Sequence, residues 1–204
     1  PSDEIEFFDG VFIARSTNHQ FKFSDIAVRT LDDHGPLKVV RKNEMHTPVY
    51  PNGTAICEVE IDPKTGTTTV TRYSTVDDVG RCINPLIVHG QTHGGIVQGA
   101  GQALFEHCFV DHNSGQPVTG SLMDYGISRA ADFPSFKTEI AEVLSPTNPL
   151  GIKAGGEGGT TPALATIVNA VVDALAEFGV EDIAMPLTPQ RAWAAIQNSS
   201  SSNH

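Results

Sequence analysis

The sequence predicts an α+β fold of mixed hairpins and buried helices. Three observations carry this: hairpin-like stretches in the first half, long apolar segments with helical spacing in the second, and no strict alternation of strand and helix. "EIEFFDGVFIA" opens the chain as two short strands joined at Asp9-Gly10, a turn dipeptide between apolar runs. "FSDIAVRTL" follows, with Ser24 placed as an N-cap and apolar residues at helical intervals. A loop rich in charge and proline leads to "AICEVEIDPKTGTTTVTRYSTV". There Cys57, Val59 and Ile61 alternate with Glu58, Glu60 and Asp62, a period of two that buries one face of a strand. "DPKTG" is the hairpin loop, and the β-branched run after it is the return strand.

In "GQTHGGIVQGAGQALFEH", Ile96, Val97, Ala100, Leu104 and Phe105 have helical spacing despite Gly94, Gly95, Gly99 and Gly101. Each glycine costs a helix about 1 kcal/mol relative to alanine. Four of them suggest close packing against a neighbouring helix or a bound ligand, and Gly90 disfavours helix just before. "DHNSGQPVTG" reads as a turn between short strands and "FKTEIAEVL" as a further strand. "TTPALATIVNAVVDALAEFG" is a helix capped by Thr160 or Thr161, with Pro162 in its first turn and Gly179 at its end. It is apolar on most faces, so deep burial is expected. "TPQRAWAAIQ" repeats the start signal at Thr188-Pro189. Residues 1–197 are read as one domain or fragment without internal repeat or linker, and 198–204, "NSSSSNH", as a disordered tail. The absence of an initial methionine reads as a fragment or processed subunit.

A formal charge of −11 argues against nucleic acid or an anionic membrane as partner, since both select basic surfaces. No uninterrupted apolar run approaches a membrane span, and the N-terminus lacks a secretory pattern. Cys57, Cys82 and Cys108 are odd in number and far apart, which is neither a disulfide framework nor a C-x-x-C site. They are expected to be reduced and mostly buried thiols of a cytoplasmic protein, and any redox cluster must sit on another chain.

The chemistry concentrates in "GIKAGGEGGTT". Lys153 precedes the glycines, whereas a phosphate-binding Walker loop places its lysine after them, and no G-x-G-x-x-G follows a strand. The loop runs into a helix N-terminus, where unpaired N–H groups favour an anion. Burial and the helix dipole act on a carboxylate such as Glu157 in opposite senses, and a group poised between them suits a general base. An ordinary glutamate on a surface loop is the other reading, and spacing alone leaves both open. His89 and His93 lie four apart but lack H-E-x-x-H, so they are read as solvent-facing or capping rather than metal-binding. Asn52-Gly53-Thr54 fits a glycosylation acceptor that means little without a secretory signal. Asp77 and Asp78 are read as a strand end with Arg81 as charge partner.

Three long stretches match in order and register. "PNGTAICEVEIDPKTGTTTVTRYSTVDDVGRCINPLIVHGQTHGGIVQGAGQALFE", "TGSLMDYGISRAADFP" and "NPLGIKAGGEGGTTPALATIVNAVVDAL" resemble the C-terminal half of the molybdenum-binding subunit of the xanthine dehydrogenase and aldehyde oxidase family. The resemblance runs over about residues 4 to 197. It implies a molybdenum ion held by a pterin dithiolene, with no metal ligand among these side chains. The pterin's expected form is the cytosine dinucleotide common in bacterial relatives. It implies that an aldehyde or N-heterocycle is hydroxylated with oxygen from water, with Glu157 as the base that takes the proton from the metal-bound hydroxyl. Two electrons then leave through iron–sulfur centres. By the same resemblance Gln91, Gly94 and Gly95 meet the cofactor, an account of the helix glycines preferred to packing, and Gly156, Gly158 and Thr160 approach it around the base. Ala154-Gly155 stands where the family often has Gly-Ala, and Ser128 replaces a frequent proline. The implied partners are the rest of the molybdenum-binding subunit, an iron–sulfur subunit, an FAD subunit and a small-molecule substrate, in an oligomer with an exposed apolar face. The chain alone is expected to be inactive, the alternative being a non-catalytic fragment or assembly module that binds no cofactor.

Overall fold

A computed structural model describes residues 2–42, 44 and 46–202. The chain divides into two compact units, 1–46 and 47–204.

The first unit is a three-stranded antiparallel meander followed by a helix: β1 (Ile5–Phe8), β2 (Val11–Ala14), β3 (Gln20–Lys22) and α1 (Phe23–His34). Asp9 (φ 45°) and Gly10 (φ 74°) form the predicted two-residue turn, the left-handed pair that matches strand twist. Phe7 and Phe12 pair across the strands with ring centroids 4.6 Å apart, and Phe23 stacks on Phe12 at 6.2 Å. That contact moves the helix start away from Ser24. Phe23 already has helical backbone and its N–H donates to Gly10 O (2.9 Å), so Lys22 takes the N-cap position without a side-chain cap.

The second unit is built on a sheet ordered β4 (Asn52–Ile61), β5 (Thr68–Asp78), β6 (Lys137–Ile140). The β4–β5 hairpin is antiparallel, with a bulge at Glu58/Val59, and β6 runs parallel to β5. The predicted alternation holds: Ala55, Cys57, Val59 and Ile61 turn inward and their neighbours outward. In the hairpin loop the Asp62 carboxylate accepts from Lys64 N and Thr65 Oγ1, both at 2.9 Å.

Helix α2 (Pro85–Leu104) is longer than predicted and runs through Gly90. It starts at Asn84, whose side-chain oxygen accepts from Ile87 N (3.3 Å), with Pro85 in the first helical position. A strong start and tertiary packing offset the glycine cost. A Cβ on Gly99 would stand 2.8 Å from Ala163 Cβ, and one on Gly95 2.8 Å from Thr160 N. α2 therefore crosses the start of α3 (Thr160–Leu175) almost backbone to backbone. Packing accounts for these two glycines, a correction to the reading that assigned them to a ligand.

α3 is capped at Gly159 rather than by a threonine hydroxyl, because Thr160 is already helical. Only the stripe Ala163, Ile167, Val171 and Leu175 is fully buried, so burial follows one face and not the whole helix. By length and mean hydropathy alone the segment Thr160–Phe178 would suffice to cross a membrane. Here its apolar stripe packs into a core with Tyr73, Ile96, Ala100, Leu104 and Leu187. Gly179 (φ 79°) ends it after a single 3-10 turn, as predicted. The helix α4 (Pro189–Ser202) starts at Thr188, whose hydroxyl accepts from Arg191 N. It carries the serine tract in helical backbone to Ser202, where disorder was expected; the last two residues of that tail lie outside the described residues.

Candidate functional site

The glycine loop is fixed to the end of β5 before it reaches Glu157. Gly80 and Ile152 form an antiparallel bridge, and Lys153 N donates to Val79 O (2.8 Å). The Lys153 ammonium pairs with the Asp78 carboxylate, and both side chains are about nine-tenths buried. Asp78 also accepts from Gly80 N (2.9 Å) and Val143 N (3.1 Å). Burial works against its charge, but Lys153 and these N–H groups outweigh burial and hold the carboxyl down at about 2. Arg81 is not its partner; that guanidinium donates to Leu150 O (2.9 Å). The sequence order hid this, because the true partner lies 75 residues downstream.

Beyond Lys153 the loop meets α2. Gln91 Nε2 donates to Gly156 O at 2.9 Å, which joins two of the predicted site residues directly. Glu157 follows, and its carbonyl accepts from Thr161 N (3.1 Å). The Glu157 side chain is exposed in this chain, as on a surface loop and not as in a buried site: the described residues do not close over it. It borders a cavity of about 520 Å³ with Gly53, Asp77, Gly156, Gly158 and Pro162. A Cβ on Gly156 or Gly94 would meet nothing within 4 Å, and one on Gly158 only contacts at 3.8 Å and beyond. Gly94, Gly156 and Gly158 thus present bare backbone to space. Gly95 does not, since its missing side chain is filled by α3. Thr160 donates to Gln98 Oε1 (3.4 Å) and so links α3 to α2.

Three residues of this region escaped the sequence reading. Gly53 and Asn52, read as a glycosylation triplet, line the cavity at the start of β4. Asp77 is 6% exposed and forms part of its wall. The signal for Asp77 was present: Tyr73, Thr75 and Asp77 are in phase on the buried face of β5. His93 is exposed, as read, whereas His89 is half-buried. Both ring systems meet Thr138 Oγ1, at 2.7 and 3.2 Å, and so tie α2 to β6. Among the described residues no group of three or more His, Cys, Asp or Glu side chains is placed to hold a metal.

A molybdopterin cofactor-binding domain matches residues 1–134. The chain belongs to that family. The gamma subunit of the 6-hydroxypseudooxynicotine dehydrogenase complex of Paenarthrobacter nicotinovorans is 38% identical over 96% of this chain and 25% of its own length. A putative xanthine dehydrogenase molybdenum-binding subunit of Escherichia coli K12 is 35% identical over 69% of this chain and 18% of its own. Among solved structures, quinoline 2-oxidoreductase from Pseudomonas putida 86 superposes with a TM-score of 0.82 at 36% identity, covering 97% of this chain and 26% of that one. The chain therefore spans about a quarter or less of the relatives it matches, and its α+β fold is that of molybdenum-binding subunits. A molybdopterin cofactor fits the residues present: Gly94, Gly156 and Gly158 leave room for a close ligand, and the Gln91 amide meets the loop at Gly156 through its nitrogen, with its oxygen not engaged by Gly156.

Proposed function

We propose that this chain forms one side of the active site of a molybdenum cofactor-dependent oxidoreductase. The enzyme hydroxylates an aldehyde or N-heterocycle with oxygen from water, and Glu157 is its general base. The observation that carries this reading is the hydrogen bond from Gln91 to Gly156, which sets a cofactor-type amide one residue from the carboxylate.

Gln91, Gly94, Gly156, Gly158 and Thr160 would hold the cofactor. When bound, it supplies a metal that acidifies water and accepts two electrons. The chain's own part is positional. Gln91 spends one N–H on Gly156 and so fixes the loop, leaving its second N–H and its oxygen for the pterin. Bare backbone lets the ligand approach without steric conflict. Glu157 receives the proton released as water becomes a nucleophile, and a base within hydrogen-bond reach contributes about 10²–10⁴ in rate.

Because Glu157 is exposed here, the preceding part of the subunit closes the site, excludes water and supplies most of the substrate pocket. Ile83, Leu86 and Ile87, exposed beside the start of α2, suit that contact. The cytosine dinucleotide form of the cofactor, iron–sulfur and FAD subunits, an oligomeric assembly and a cytoplasmic site complete the proposal.

Glu157→Gln in the assembled enzyme is expected to keep its molybdenum and lose turnover by about 10²-fold or more; near-normal turnover removes the role. The second reading, an assembly module without catalytic function, draws on the exposure of Glu157 in this chain. Copurification separates the two: molybdenum with cysteine-rich partner chains supports the enzyme, and a metal-free polypeptide the module.

A further inference from the structure

Asp77 stands out as a buried carboxyl that the proposed mechanism does not use. It is 6% exposed and lines the same cavity as Glu157. Its Oδ1 receives the Thr75 hydroxyl at 3.3 Å, but that hydroxyl also points to Thr54 O at 3.0 Å, so the contact is shared. Thr92 supplies a second hydroxyl, and among the described residues Asp77 has no ion-pair partner. The contrast with its neighbour is sharp, since Asp78 has an ammonium and two backbone N–H groups.

A carboxylate offers about four acceptor positions, and burying one with weak partners is costly unless something else satisfies it. Two glycines flank Asp77, Gly53 in close backbone contact and Gly158 with room for a neighbour. A Cβ on Gly53 would lie 2.8 Å from Oδ1, and one on Gly158 3.9 Å. Desolvation pushes this carboxyl up, against the opposing pull of Thr75, Thr92 and His89. The direction accords with a group whose partners are incomplete.

We propose that Asp77 is the acceptor in this cavity for an N–H edge of a flat heterocycle, of the amidine or lactam type. The proposal rests on the reading of the cavity as a cofactor and substrate site. Two occupants carry such an edge, the pterin itself and an N-heterocyclic substrate. A carboxylate suits either because it accepts where a neutral amide would partly present a donor.

Asp77→Asn in the assembled enzyme tests this, with pterin per chain measured by fluorescence after oxidative release and hypoxanthine as the N–H heterocycle in equilibrium binding. The variant's amide still accepts from the two threonine hydroxyls, so a merely structural role is preserved. Pterin content reduced about tenfold assigns the pterin edge to Asp77, and normal pterin with hypoxanthine binding weakened about tenfold assigns the substrate edge. Normal pterin with no loss of hypoxanthine affinity overturns the proposal, whatever happens to melting temperature. Asp77→Ser, read in the same way, replaces the first variant if that one does not fold. Neither readout depends on turnover, so failure here is distinct from failure of Glu157→Gln.

Discussion

The Lys153 ammonium lies against the Asp78 carboxylate in the interior of the second unit, and this pair joins the glycine loop to the end of β5. It turns a glycine-rich segment, which on its own has a large conformational entropy, into one with a fixed origin four residues before Glu157.

Removing one partner leaves the other charge buried and unpaired. Lys153→Met is expected to destabilise the fold by about 3–5 kcal/mol, measured by urea unfolding at neutral pH. A loss below about 1 kcal/mol shows instead that the pair behaves as a surface contact.

The pH dependence of the same pair has a definite sign. The folded carboxyl titrates at about 2, against an ordinary value of 3.8, so folding favours the ionised form. Its contribution is complete above about pH 4 and is lost as pH falls through 2. The stability gap between the native chain and Asp78→Asn should therefore be constant near neutrality and narrow toward pH 2. A gap that widens on acidification contradicts the assignment.

Gly94 and Gly99 sit on the same helix and should respond in opposite ways. Gly94→Ala places a methyl in open space, so it should stabilise the fold by up to about 1 kcal/mol while lowering molybdenum content. Gly99→Val forces atoms against Thr160 O and Ala163 and should cost about 1–3 kcal/mol. Thermal melting with metal analysis reads both, and full molybdenum in Gly94→Ala counts against a ligand at that face.

Gln91 is exposed, and its side-chain amide donates to a backbone carbonyl. Gln91→Ala should reduce cofactor retention several-fold and shift melting by less than the equivalent of about 1 kcal/mol. Normal molybdenum with a lowered melting temperature means that the amide serves the loop and not the cofactor.

Local chemistry was legible wherever a residue's partner is near in sequence. The Asp9-Gly10 turn, the alternation from Cys57 to Ile61, the hairpin loop at Asp62, the start at Thr188 and the stop at Gly179 each depend on a few adjacent residues. Reading stopped where the deciding contact is distant. Ser24 was displaced as a cap by aromatic stacking from another strand, and Gly90 joined a helix stabilised by its start and its packing.

The candidate site divides along the same line. Sequence alone determined that a carboxylate would stand among glycines ahead of a helix, and that a long-range match with molybdenum-binding subunits gave Glu157 and Gln91 their expected roles. Only tertiary structure decided which glycines face space and which face α3, that Asp78 pairs with Lys153 and not Arg81, and that Asp77 joins the cavity wall. The physical reason is that backbone propensity and capping act over a few residues. Burial, charge pairing and cavity walls arise from chain segments that are distant in sequence, as Gln91 and Gly156 are at a separation of 65.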